Sequence, residues 1–320
     1  MNTLAVTRPL VAERASRVRF KNILFATDLT ATSAAAQAYA LLLAQLFGSH
    51  LFVLYVQTSA GLAPRYEKAC TSRDHKEERL AIHELESFFR SSHVPFTLLV
   101  EPGEVPEVLQ RVVDENQIDL VIVGTHGRKG FFHVLFGSMA ESVSRSFTCP
   151  VITVGPRACA RAGFENILKT IVYATDFSEE SRLALPYAIS LAQEFHAALL
   201  VLHVAPDHMV HDRIQAESYL MNRIKGLAPQ SRFPWCTLRH LVEFGDPARR
   251  ILAVAKDQNA DLIVLGLHRS LQFASHFPDR LSYSIVCDAS CPVMSILPAG
   301  REIKLANLTS DFLRAGPLMN

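Results

Sequence analysis

One stretch of this chain is written twice, and that constrains the fold more than any other feature. Lys21-Asn22-Ile23-Leu24-Phe25-Ala26-Thr27-Asp28 returns 148 residues later as Lys169-Thr170-Ile171-Val172-Tyr173-Ala174-Thr175-Asp176. Ser33, Ala36, Tyr39, Ala40, Leu43 and Phe47 return at the same offset as Ser181, Ala184, Tyr187, Ala188, Leu191 and Phe195, and Val53-Leu54-Tyr55-Val56 returns as Val201-Leu202-His203-Val204. Further on, Gly103, Asp119-Leu120, Gly124 and Cys149-Pro150-Val151 return as Gly245, Asp261-Leu262, Gly266 and Cys291-Pro292-Val293 at an offset of 142, so the second copy loses six residues between Val56 and Gly103. A repeat this long predicts two homologous domains. In a chain of 320 residues each half can bury its own core.

Within a copy, short apolar runs alternate with stretches of helical period. Strands are expected near 21–27, 50–56, 95–100, 119–124 and 150–154, with helices near 31–47, 74–92, 104–117 and 138–147. Strands alternating with helices imply parallel sheets joined by right-handed crossovers. The expected fold class is therefore α/β: two Rossmann-like, doubly wound domains, each a five-stranded parallel sheet flanked by helices. The expected division is an N-terminal arm (1–18), a first domain (19–156), a linker (157–165), a second domain (166–298) and a C-terminal tail (299–320). Leu305, Leu308, Phe312 and Leu313 in the tail fit either a short docked helix or disorder.

Composition excludes several classes of partner. A formal net charge of +1 gives no reason to expect nucleic acid or an anionic membrane surface. No apolar run approaches transmembrane length. Arg8, Pro9 and Glu13 interrupt the first apolar residues, so no secretory leader is expected. The six cysteines lack metal-ligand spacing, and a reduced, cytoplasmic setting fits them.

The chemistry concentrates between Asp119 and Val154. Asp119-Leu-Val-Ile-Val reads as a buried parallel strand ending at Gly124. Gly127 follows, then Gly137-Ser138 just before a helix-like run, in the spacing Gly-x2-Gly-x9-Gly-Ser. Glycines at a strand end permit a sharp turn and close approach of a ligand. Ser138 and the backbone N–H groups of Met139 and Ala140 stand where a helix start can hold an anion. The same pattern also fits a plain strand–turn–helix connection. Neither the P-loop spacing nor Gly-x-Gly-x2-Gly is present.

Gly124, Gly127, Gly137 and Ser138, after a strand of the Asp-Leu-Ile-Val type, match without insertion the motif of ATP-binding universal stress proteins, and the chain resembles that family over roughly 20–156 and 166–298. The resemblance implies a tandem member with sheet order 3-2-1-4-5, whose two domains pair antiparallel through Val151–Val154 and Val293–Leu297. Such pairing would cover two edges that otherwise invite aggregation. It further implies that the backbone around Ala26, Thr27 and Asp28 borders an adenine nucleotide, that Val56 borders the adenine, and that Gly127 through Ser138 embrace the phosphates.

Read from the residues alone, Asp28 can hold a ribose hydroxyl or cap the next helix, and Val56 is also an ordinary core position. Arg128 can neutralise phosphate charge or stand as a solvated loop residue, and His126 fits a loop or packing role better than a general base. A Ser138–His126–Asp28 hydrolase is rejected, because no Gly-x-Ser-x-Gly elbow is present. The second copy breaks the motif: Arg269 replaces the second glycine, and Asp279-Arg280 replaces the final Gly-Ser. An arginine side chain and a negative charge then stand where phosphates would sit.

The expected function is a cytoplasmic stress-response protein that binds ATP or a related adenine nucleotide, with Mg²⁺ arriving on the phosphates, in its first domain only. No P-loop lysine or acidic cluster marks a dedicated ATPase, so a binding protein is expected, with slow hydrolysis left open. The alternative is a non-nucleotide protein-interaction module. An enzyme related to the α/β ATP-pyrophosphatases ranks last, because their Ser-Gly-Gly-x-Asp-Ser loop is replaced here by Ala26-Thr27-Asp28-Leu29-Thr30. Pairing of two chains into a homodimer stays open.

Overall fold

The computed structural model describes residues 18–29, 33–57, 72–124, 149–155, 157–158, 168–207, 213–228, 237–267 and 280–297. The first repeat runs β1 (Asn22–Thr27), α1 (Ser33–Phe47), β2 (His50–Gln57), α2 (Ser72–Ser91), β3 (Phe96–Pro102), α3 (Val105–Glu115), β4 (Leu120–Gly124) and β5 (Val151–Val154). The second runs β6 (Thr170–Ala174), α4 (Glu179–Glu194), β7 (Ala198–Ala205), α5 (Arg213–Leu227), β8 (Leu238–Phe244), α6 (Pro247–Asp257), β9 (Leu262–Gly266), α7 (Arg280–Asp288) and β10 (Val293–Ile296). The second copy is shorter around its second helix, as expected: α2 has 20 residues and α5 has 15, and the connections on either side differ as well. The first repeat's expected helix at 138–147 lies outside the described residues.

All ten strands form one sheet in the order β3-β2-β1-β4-β5-β10-β9-β6-β7-β8. Neighbours within each repeat are parallel, with Phe25 beside Val53 on one side and Ile122 on the other. At the centre β10 runs antiparallel to β5, placing Val293 against Thr153 and Ser295 against Val151. Side chains of β1 alternate between two cores: Ile23 and Phe25 enter the layer under α1, while Leu24 and Ala26 enter the layer beneath α3. β4 and β5 are buried along nearly their whole length, the mark of strands covered on both faces.

Repeated sequence becomes repeated geometry. Asp119 Oδ2 accepts from the amides of Lys21 (2.7 Å) and Asn22 (3.0 Å), and Asp261 Oδ2 accepts from those of Lys169 (2.8 Å) and Thr170 (3.0 Å). Each aspartate thus fastens the entry of strand one to the entry of strand four. Gly103 and Gly245 both take left-handed φ, 143° and 128°, which a residue with a side chain resists. Their amides donate to the carbonyls of Gln57 and Ala205. Helix starts are locally encoded: Ser178 caps α4 by accepting from Ser181 N, and Asp246 caps α6 by accepting from Arg249 N.

The repeats also grip one another outside the strand pair. The Phe20 ring stacks on Tyr187 with centroids 6.5 Å apart, Arg157 pairs with Asp288 at 2.9 Å, and Val18 N donates to Ser190 Oγ. A Cβ on Gly155 would meet the Val286 carbonyl oxygen at 2.7 Å, so α7 packs directly on the backbone leaving β5.

Candidate functional site

In an open parallel sheet, ligands bind at the carboxyl ends of the strands, where the strand order reverses. In the first repeat that place lies beyond β1, flanked by β2 and β4. Ala26 and Thr27 end β1 and are fully buried. Asp28 follows and is half-buried. Val56, near the end of β2, is buried in the same apolar layer as Ala26 and Leu54. Gly124 ends β4 and is half-buried. These five expected site residues are therefore neighbours on one rim. His126, Gly127, Arg128, Gly137, Ser138, Met139 and Ala140 lie outside the described residues, as do Arg269 and Asp279.

The turn after β1 is built by a side chain. Thr27 Oγ1 accepts from Leu29 N at 3.1 Å and shares a hydrogen bond of 2.9 Å with Ser33 Oγ. Leu29 takes a left-handed φ of 61°, which a non-glycine residue holds only when its surroundings enforce it. Thr27 thus contributes backbone to the rim, while its hydroxyl is spent on the turn. Three further residues line this rim and carry no motif signal. Tyr55 donates its hydroxyl to Glu78 Oε1 at 2.7 Å, and Gln57 Nε2 donates to the same oxygen at 3.3 Å. Helix α2 supplies the carboxylate, and its docking is invisible in local periodicity.

The second repeat reproduces the turn and changes what covers it. Thr175 Oγ1 accepts from Phe177 N at 3.0 Å and bonds Ser181 Oγ at 2.9 Å, and Phe177 has φ 65°. Asp176 Oδ1 accepts from the amide (2.9 Å) and hydroxyl (2.5 Å) of Ser178. His203, at the position of Tyr55, is buried, and its Nδ1–H donates to the Thr175 carbonyl at 2.7 Å. The Phe177 ring lies 4.5 Å from the His203 ring, and the Arg223 guanidinium sits 4.2 Å over Phe177. Burial lowers the His203 pKa, against the pull of the Thr175 carbonyl, and nearby Arg223 lowers it further.

Gly266, the counterpart of Gly124, reveals another use for that glycine. A Cβ there would collide with the Glu180 carbonyl oxygen and with Ser181 Cα, so the first turn of α4 closes on the end of β9. Close approach is what this glycine serves, and in the second repeat the approaching group is the chain itself.

Cys149 is buried and is not primed for covalent chemistry. Burial pushes the Cys149 thiol up to about 12, with Asp119 adding to the shift, so the reactive thiolate is suppressed. Burial likewise raises Tyr173 and Tyr187 to about 12. Among the described residues no group of three His, Cys, Asp or Glu side chains is placed to hold a metal ion, and no helix is long and apolar enough to cross a membrane.

Residues 19–155 and 168–296 match the model of the Universal stress protein family. A universal stress protein of Mycobacterium tuberculosis is 25% identical over 188 residues, which are 56% of this chain and 62% of that protein. The matched stretch therefore spans less than two thirds of that relative. A universal stress protein of Methanocaldococcus jannaschii is 26% identical over 139 residues, covering 42% of this chain and 82% of that one. Among solved structures, a universal stress protein from Archaeoglobus fulgidus superposes with a TM-score of 0.62 at 17% identity, covering 87% of this chain and 97% of that chain. A Pseudomonas aeruginosa protein of unknown function, PA1789, superposes with a TM-score of 0.61 at 17% identity, covering 87% and 93%. These last two likenesses are likenesses of fold.

Proposed function

The chain belongs to the universal stress protein family, and on that premise we propose that it is a stress-response protein whose first repeat binds ATP or a related adenine nucleotide and acts as a sensor or switch. The observation that carries this reading is the rim at the carboxyl ends of β1, β2 and β4. There the Ala26–Asp28 backbone, buried Val56 and Gly124 stand together where strand order reverses. An apolar floor beside a half-buried carboxylate suits a base with its ribose. Gly127, Gly137, Ser138, Met139 and Ala140 would supply the phosphate contacts, with His126 and Arg128 beside them, and Mg²⁺ would arrive on the phosphates. Residues 19–156 form the sensing domain in this reading and 166–298 its companion, with 1–18, 157–165 and 299–320 as arm, linker and tail. The two domains act as an internal pair through their last strands, and the protein works in the cytoplasm. Pairing of two such chains into a homodimer is a further step of the same kind.

A second reading, a protein-interaction module, is favoured for the second half by one observation: where the first repeat has Leu29 it carries the Phe177 ring, against His203 and beneath Arg223. Equilibrium dialysis against ATP separates the two. The wild type should retain nucleotide, and the double variant Gly127→Arg with Gly137→Asp, which writes the second repeat's residues into the first, should not. Equal retention by a folded double variant would overturn the nucleotide reading of the first repeat.

A further inference from the structure

The sheet ends on two edge strands, β3 and β8, and the two edges are finished differently. Leu51 N donates to the Pro95 carbonyl and Gly103 N to the Gln57 carbonyl, at the two ends of the β2–β3 ladder. Between them a parallel ladder uses every second residue, so Thr97, Leu99 and Glu101 bond to β2. The N–H and C=O groups of Phe96, Leu98 and Val100 therefore point away from the sheet, and no described residue meets them. The run from Phe96 to Val100 carries no charge, and Pro102, which has no N–H, closes it. On β8, Arg239 and Glu243 put charges within the strand. There Arg250 Nε also donates to the outward Phe244 carbonyl at 3.0 Å, where the first repeat has Val108 in place of the arginine. Charges and covered carbonyls blunt an edge, whereas an open, uncharged edge is a template for another strand. The surface beside β3 is apolar as well. Val100 is 37% exposed, and α2, which packs on β3, leaves Leu80 (53%) and Phe88 (41%) uncovered. Phe88 meets Phe89 edge-on at 5.2 Å, and Phe89 meets Phe96 at 5.8 Å.

We propose that β3 is the edge on which a second copy of this chain pairs, antiparallel about a two-fold axis at Leu98. An axis there sets Leu98 opposite its own copy, Phe96 opposite Val100 and Thr97 opposite Leu99. Each facing pair of outward residues then exchanges two hydrogen bonds, and none of the outward groups from Phe96 to Val100 is left over. The outward residues are symmetric about Leu98, which is the self-complementarity a two-fold interface requires. Glu101 comes to face Pro95 rather than a like charge, and it is already paired with Arg111 at 3.2 Å. The chain joins its own halves by the same device, β5 antiparallel to β10. The pairing rests on the homodimer step of the proposed function and gives it a surface. It is independent of nucleotide binding.

The test is the mass of the nucleotide-free full chain, followed by analytical ultracentrifugation over a range of concentrations for the wild type, Val100→Pro and Val100→Thr. Proline at position 100 removes an outward N–H and no bond to β2, a place where edge strands accept it. Threonine keeps the N–H. The wild type and Val100→Thr should reach twice the mass of one chain, and Val100→Pro should stay at half that. Residue-resolved hydrogen exchange of the wild type keeps the test valid should Val100→Pro fail to fold: the amides of Phe96, Leu98 and Val100 should exchange more slowly as concentration rises. A wild-type dimer that survives in folded Val100→Pro, or whose edge amides exchange no more slowly than in the monomer, overturns this surface and leaves the homodimer standing. A wild type that is monomeric at every concentration overturns both, including one whose edge amides are protected only by an extended segment of another protein.

Discussion

Leu29 and Phe177 stand at the same place in the two repeats and share one strained turn. Their φ angles are 61° and 65°, and each amide donates to the hydroxyl of the threonine two residues before it, at 3.1 and 3.0 Å. Neither residue favours left-handed backbone, so the threonine holds the turn. The conformation belongs to the architecture, and the side chain it displays is free to differ.

Thr27→Val removes the hydroxyl that binds Leu29 N and Ser33 Oγ while keeping the shape. A buried donor loses its acceptor, which costs about 1–3 kcal/mol. Urea denaturation should show that loss, and ATP affinity should fall as well, because the turn positions Asp28. Unchanged stability would mean that the turn is set by packing alone.

Two glycines in the second repeat should respond in opposite directions to alanine. A Cβ on Gly266 collides with the backbone of α4, and Gly266→Ala should cost about 1–3 kcal/mol or more. Gly226 lies inside α5 with nothing within 4 Å of a Cβ, so Gly226→Ala should add up to about 1 kcal/mol. Thermal melts of the two variants should bracket the wild type.

Thr153 and Ser295 face each other diagonally across the central antiparallel pair. Among the described residues their buried hydroxyl oxygens find no hydrogen-bond partner. Burying a hydroxyl without a partner is unfavourable. Thr153→Val and Ser295→Ala should therefore leave stability unchanged or raise it by about 1 kcal/mol each, with additivity tested in the double variant. A clear loss would reveal a bound water bridging the two hydroxyls.

His203 makes stability depend on pH with a definite sign. Burial holds its folded pKa below the ordinary value of 6.5, so the unfolded chain takes up the proton first as pH falls. Stability contributed by neutral His203 is complete above about 6.5 and is lost as pH drops below it. The wild type should lose more stability between pH 7.5 and 5.5 than His203→Gln, whose amide can still donate to the Thr175 carbonyl. Equal slopes would place the pH dependence elsewhere.

Strand positions were legible because the apolar runs are short, most are closed by Gly, Asp or Pro, and each strand is written twice. Asp119 and Asp261 were visible as paired markers before a strand, yet their work, fastening the amides of Lys21–Asn22 and Lys169–Thr170, depends on contacts about a hundred residues apart. The left-handed turns at Leu29 and Phe177 carried no glycine to announce them. Tyr55 with Glu78, and Phe177 with His203 and Arg223, meet only when the second helix of each repeat docks, and no local period encodes that meeting. Gly266 shows a limit of motif reading, since a glycine that invites close approach says nothing about whether ligand or backbone arrives.

The most direct test of the account is the stoichiometry of ATP on nucleotide-stripped full-length protein, measured by isothermal titration calorimetry. One ATP per chain is the predicted result, with Gly127, Gly137 and Ser138 of the first repeat at the phosphates and Arg269 and Asp279 standing in their place in the second. No binding by the folded chain would contradict the sensor reading, and two sites per chain would contradict the assignment of the second repeat as closed.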